Sequence, residues 1–208
     1  MFTTPRNAIL GSAVCRFSVD DMESSFEGNF KNQESLTSNW LPMSSNQVPL
    51  LLSLRIFLTS FLLQVPKPRP GRCYNQSTSL PESSLHFIKN HCLMDAPVQS
   101  RPSVPVFVKS GTSELFTKIA LHQGAKNLAG VSFDVLFIGT NRGKVVKILV
   151  DPANPDLASS DLQEELQIFG PTVPILNLLI VNGETSDPKL IVLSADSVKS
   201  IPLASCHR

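Results

Sequence analysis

FDVLFIGTNRGKVVKILV, residues 133–150, divides into parts of different chemistry. Residues 135–138 form a continuous apolar run, rich in branched and aromatic side chains and too short for a helix. That predicts a strand buried on both faces. Thr140, Asn141, Arg142 and Gly143 supply turn chemistry, and Gly143 can adopt φ > 0 at no steric cost. Lys144, Val145, Val146, Lys147, Ile148 and Val150 follow as a return strand, polar residues mixed with branched ones. The stretch predicts a β-hairpin.

The hairpin has an echo. Residues 190–193 (LIVL) repeat the short buried strand, 194–197 (SADS) the turn, and 198–203 the return strand. Leu190 follows Leu136 by about fifty residues, the period of propeller blades rather than of ankyrin or TPR units. One more apolar strand precedes each hairpin: 115–121 (LFTKIAL) and 175–181 (ILNLLIV). The first unit gains a fourth strand at 164–169 (EELQIF), and the second has none before the chain ends at Arg208. The pattern predicts an all-β ring of blades whose missing edge strand comes from elsewhere, from an N-terminus this chain lacks.

With 208 residues, the chain can bury one good core, and 42% hydrophobic content is ordinary for a globular protein. Net charge is +1 with only 17% charged residues, so neither a nucleic-acid stripe nor an acidic tail is present. Its 16 prolines against 10 glycines fit strands joined by long rigid loops. The 4 cysteines, Cys15, Cys73, Cys92 and Cys206, are widely spaced without a CxxC. They suit long-range disulfides in an oxidising compartment better than zinc or thioredoxin-like chemistry. Asn75-Gln76-Ser77 is a glycosylation sequon. The first six residues lack the apolar core of a signal peptide, so the chain looks extracellular in type without a route of export.

Ahead of these units, 11–19 (GSAVCRFSV) reads as a return strand whose preceding strands are absent, and 104–109 (VPVFVK) as a strand of the same unit. A short helix is expected over 22–30, with Asp20 or Asp21 as N-cap and Gly28 near its end. Residues 32–47 are loop-like, with Trp40 as their apolar anchor. Another short helix is expected over 80–90, Pro81 at its start and Leu85, Ile88 and Phe87 on one face. Residues 67–71 (KPRPG) read as a rigid extended loop rather than an SH3 ligand.

Residues 48–64 (VPLLLSLRIFLTSFLLQ) stand apart. As a membrane span the stretch is too short and carries Arg55 in its middle. A buried helix is a second reading. The third starts from the repeat of Val48-Pro49 at Val65-Pro66: deleting 48–64 leaves a seamless SNQVPKPRPGRC. On that favoured reading, 48–64 is an unspliced intron translated in frame, which a transcript sequence across the junction tests.

Catalytic chemistry is not legible. His86, His91, His122 and His207 form no HExxH and no ligand pair at helical spacing. The neighbours His91-Cys92 and Cys206-His207 do not make dyads. Gly139 and Gly143 lack the context of a phosphate loop and are explained by the hairpin. Glu164 and Glu165, adjacent on a strand, point to opposite faces. Lys144 and Lys147 read as solvated strand positions, with a binding patch as the alternative.

Taken in order, several segments are similar to one family. They are SAVCRF (12–17), NQESLTSNWLP (32–42), VPKPRPGRC (65–73), HFIKNHCLMD (86–95), RPSVPVFVK (101–109), FTKIAL, FDVLFIGTNRGKVVKI, EELQIF and the terminal IPLASC. Together they resemble the C-terminal part of a semaphorin Sema domain, nearest the invertebrate transmembrane type. The resemblance implies a partial seven-bladed β-propeller, about the last two and a half blades, with a helical and loop extrusion. In that frame 11–19 and 104–109 belong to the fifth blade, 22–95 is the extrusion interrupted by 48–64, 115–169 is the sixth blade and 173–203 an incomplete seventh. Cys15 and Cys73 would pair with upstream partners outside this chain, Cys206 would mark the border of a following PSI module, and Cys92 takes no role.

The implied function is that of a guidance ligand. It binds a plexin-type receptor in axon guidance and cell migration, with chemorepellent activity, and acts as a homodimer in the full-length parent. No catalysis, cofactor, metal, nucleic acid or small-molecule substrate is implied, and the location is extracellular or at the cell surface. The receptor-contact residues stay unassigned. Alternatives are a fragment of a plexin- or Met-type receptor, an inactive truncated product, or an intracellular scaffold propeller. Reduced equivalents of Cys15 and Cys73 in the parent would favour the last.

Overall fold

Strand β1 spans Phe2–Thr3, β2 Gly11–Val14, β3 Lys31–Asn32, β4 Leu41–Pro42, β5 Phe107–Ser110 and β6 Phe116–Lys126. Next come β7 (Ser132–Thr140), β8 (Lys144–Val150), β9 (Ser160–Gln167), β10 (Asn177–Val181), β11 (Lys189–Leu193) and β12 (Val198–Pro202). Two helices interrupt them, α1 (Val19–Glu27) and α2 (Glu82–Asn90). This computed structural model describes residues 1–5, 8–43, 65–67, 69–70, 80–126, 129–151, 160–182 and 187–203; Cys73, Asn75, Cys206 and the stretch 48–64 lie outside the described residues. The chain forms two compact units, one of Met1–Arg16 with Ser100–Arg208, the other of Phe17–Gln99.

In the first unit the hairpin at 133–150 is the middle of a four-stranded antiparallel sheet, β6-β7-β8-β9. Val135 lies opposite Leu149 and Ile138 opposite Val146. Successive strand residues point to opposite faces, and here both faces are covered. Val135, Phe137 and Val145 pack with Ile175, Leu178, Leu190 and Val192 of the sheet β10-β11-β12. Ile138, Val146, Ile148 and Val150 pack with Val14, Val106 and Phe116, the first two from the segments around β2 and β5. Ile138, Val145, Val146 and Ile148 are 0% exposed, each worth about 1.5–3 kcal/mol of burial. A two-residue period would leave every second position wet on a one-faced sheet, so the unbroken apolar run follows from a sheet with neighbours on both sides.

The turn at 140–143 is built by its side chains. Thr140 Oγ1 accepts the backbone N–H of Arg142 and of Lys144, both at 3.2 Å. Gly143 sits at φ +70°. The echoed hairpin joins β11 to β12 through 194–197, where Ser194 N donates to Ser197 O at 2.8 Å and Ser197 N to Ser194 Oγ at 3.1 Å. Among the described residues β12 pairs only with β11.

The remaining sheet of this unit, β1-β2-β5, differs from expectation in two ways. A preceding strand exists: Phe2 and Thr3 pair with Ala13 and Ser12. The strand expected over 11–19 ends at Val14, because Ser18 takes extended φ/ψ as N-cap of α1 and Asp20 and Asp21 fall in its first turn, where carboxylates favour the helix dipole. Its partner, expected over 104–109, runs Phe107–Ser110, since Pro105 has no N–H to give. Pairing starts one residue earlier, with Val106 N donating to Val14 O at 2.7 Å.

The second unit carries α1, the β3-β4 hairpin and α2. Its centre is Phe30, whose ring meets Phe87 edge-on at 5.0 Å and receives the Arg69 guanidinium at 5.0 Å. Arg69 also donates to the carbonyls of Phe26 and Gly28, and Pro70 is fully buried, so this part of the KPRPG segment acts as a structural tie. Helix α2 buries Ser84 and Phe87 rather than the expected Leu85 and Ile88, which are exposed. Phe87 is the larger ring, and its face continues into His91, 4.5 Å away.

Candidate functional site

Between β3 and β4, residues 33–40 form a polar loop around a single exposed apolar tip. Leu36 is 97% exposed. Gln33 Nε2 donates to Ser38 O at 2.7 Å, the hydroxyls of Ser35 and Ser38 lie 2.6 Å apart, and Ser38 N donates to Ser35 O at 3.0 Å. These short-range bonds fix the loop before any partner arrives, which lowers the ordering cost of binding. The base is anchored as well. Lys31 N donates to Leu93 O at 2.8 Å, Met43 N to Phe30 O at 2.8 Å, and Asp95 N to Asn29 O at 2.8 Å. A hollow of about 360 Å³ opens beside the loop, lined by Asn32, Glu34, Ser38, Leu41 and Met43. Leu41 is exposed too. Leu36 and Leu41 are thus exposed apolar side chains among polar neighbours.

In the first unit the charges gather at one place. Glu114, 9% exposed, takes Lys109 Nζ at 2.7 Å and Lys144 Nζ at 3.8 Å. Glu165 takes the same two ammonium groups at 2.8 and 3.2 Å. Burial alone would lower the Lys109 pKa, but hydrogen bonds to Glu114 and Glu165 outweigh it and raise it. The bond from Lys109, reinforced by Lys144, holds the Glu165 carboxyl below the ordinary range. The cluster joins β5, the link before β6, β8 and β9, so it fastens one sheet to the next rather than opening a reactive site. Lys147 points the other way and donates to Leu203 O at 2.8 Å. Lys144 and Lys147 therefore form no common patch.

The singled-out residues stay dispersed. Cys15 is half-buried just past β2 and Cys92 is exposed; both are free thiols. His86 sits 3.6 Å from Glu82 on exposed helix surface, while His91 Nδ1 lies 3.2 Å from Lys31 O. Among the described residues no group of His, Cys, Asp and Glu could hold a metal ion, and no helix is long and apolar enough to cross a membrane. Leu36 and Glu114 went unnoticed in the sequence. A lone leucine within NQESLTSN was the available signal for the first; the second had none.

The Sema domain profile matches residues 1–50 and 58–182. Semaphorin-1A of the grasshopper Schistocerca americana is 41% identical over 99% of this chain, which spans 26% of that relative's length. The solved Drosophila Semaphorin 1a, extracellular domains 1-2, superposes with a TM-score of 0.76 at 38% identity, covering 99% of this chain and 37% of that one. A chain from the solved complex of Drosophila Plexin A with Semaphorin 1b gives 0.73 at 37% identity, over 98% of this chain and 37% of its own length. The fold is thus part of a Sema-type β-propeller. The chain belongs to the Sema domain family and is similar to invertebrate semaphorins.

Proposed function

We propose that this chain is part of a semaphorin that binds a plexin-type receptor at the cell surface and signals in axon guidance and cell migration. The observation that carries the reading is likeness along nearly the whole chain to semaphorins, including one solved with Plexin A. The action is protein–protein binding without catalysis: a rigid blade array presents loops, and affinity comes from surface buried between partners. The fixed loop at 33–40, with Leu36 at its tip, is the contact proposed within this chain.

On the same reading the β1-β2-β5 sheet belongs to the fifth blade of the parent, Phe17–Gln99 carries the extrusion, β6 to β9 make the sixth blade and β10 to β12 most of the seventh. Cys15 and Cys73 pair with partners elsewhere in the parent, Asn75 carries a glycan, and the parent acts as a dimer outside the cell.

A chimera tests this. Residues 1–203 replace the matching stretch of Drosophila Semaphorin 1a on a cell surface, and binding of the Plexin A ectodomain is measured. Binding within about tenfold of the parent, a loss below about 1.4 kcal/mol, is expected. Leu36→Asp in the chimera should weaken it by a further tenfold or more. A surface-displayed, folded chimera that leaves the receptor unbound contradicts the function. Unchanged affinity of the Leu36→Asp form contradicts the loop assignment alone.

A further inference from the structure

Strand lengths create a second feature. Strands β6 and β7 have 11 and 9 residues, while β10 and β11 have 5 each. At about 3.3 Å per residue, the longer strands exceed those of the neighbouring sheet by about 13–20 Å. The face that buries Phe137, Val135 and Val145 against Ile175 and Leu190 therefore continues through Ala125, Phe133 and Leu149, which stay part-exposed among the described residues. Pro188, Pro202 and Leu203 close one side, leaving a cleft of about 590 Å³, within the roughly 300–1,000 Å³ typical of small-molecule sites.

The mouth of the cleft is basic on balance, with His122, Lys126 and Lys147 against Asp187. Lys147 spends one N–H on Leu203 O and keeps two. The side chains of Lys126 and His122 make no hydrogen bond or ion pair among the described residues, their backbones being paired with β7. An apolar floor under spare cationic donors recognises a tail and a head of opposite character.

We infer that this overhang is a binding site for an amphipathic carboxylate, an alkyl chain on the floor and the carboxylate at Lys126 and Lys147. The full chain is titrated calorimetrically with dodecanoate below its micelle concentration, and in parallel with dodecanol. One dodecanoate per chain is expected, with dodecanol bound at least tenfold more weakly. Lys126→Glu, at an exposed position, should weaken dodecanoate at least tenfold with an unchanged circular dichroism spectrum. Ala125→Trp should fill the floor and abolish binding, while Val108→Asp on another sheet leaves it unchanged. Equal affinity for dodecanol, several equivalents per chain, or indifference to Lys126→Glu would overturn the site.

Discussion

Gly143 is where a single atom matters most. Its φ of +70° favours glycine, and an added Cβ would come within 2.7 Å of Gly170 O, 2.8 Å of Phe169 O and 2.9 Å of Val173 O. Those atoms are backbone and cannot swing aside. The carbonyl of Gly143 also accepts Ile168 N at 2.9 Å and Phe169 N at 3.0 Å, so the turn and the segment after β9 hold one another. Gly143→Ala adds left-handed strain of about 1–2 kcal/mol and a clash of about 1–3 kcal/mol. The expected loss is about 2–5 kcal/mol in urea denaturation, and a loss under about 0.5 kcal/mol would show that the turn opens freely. Asn141 works beside it: its Oδ1 accepts Leu115 N at 2.8 Å and its Nδ2 donates to Ser113 O at 3.0 Å, tying the hairpin tip to the entrance of β6.

At the level of elements, the charge cluster decides how β5 is held to β8 and β9. Isolated exposed ion pairs contribute little, but here two lysines share two glutamates, one of them buried. The Glu165 carboxyl titrates below its ordinary 4.5 in the folded chain, so its contribution is present above that value and is lost as pH falls through the lowered one. The Lys109 ammonium titrates above its ordinary 10.5, so its contribution is complete below that value and is lost as pH rises through the raised one. Comparing wild type with Glu165→Gln by urea midpoint should give a gap that is constant from pH 6 to 8 and shrinks below about pH 4.5. A gap that persists unchanged into strong acid would mean that Glu165 contributes packing and not charge.

For the whole molecule, what sequence could reveal was what local pattern dictates. Residues 135–138 announced a strand covered on both faces because no exposed partner position interrupts the run. The turns at 140–143 and 194–197 were legible because Gly, Asn, Asp and Ser bend a chain for known reasons. Long-range choices were not. Val14 ends its strand because Ser18 caps a helix, Phe2 pairs because Ala13 lies opposite, and Phe87 turns inward because Phe30 awaits it. The overhang beside β10 and the isolation of Leu36 likewise depend on partners distant in sequence. The account rests on the middle sheet being sandwiched, with Phe137 packed toward β10-β11-β12 and Ile138 toward β2 and β5. The most direct test is equilibrium denaturation of Phe137→Ala and Ile138→Ala side by side. The stack predicts losses of about 3–5 and about 2–5 kcal/mol respectively from these adjacent residues; one near-neutral substitution of the two would leave a face of the hairpin in water and contradict it.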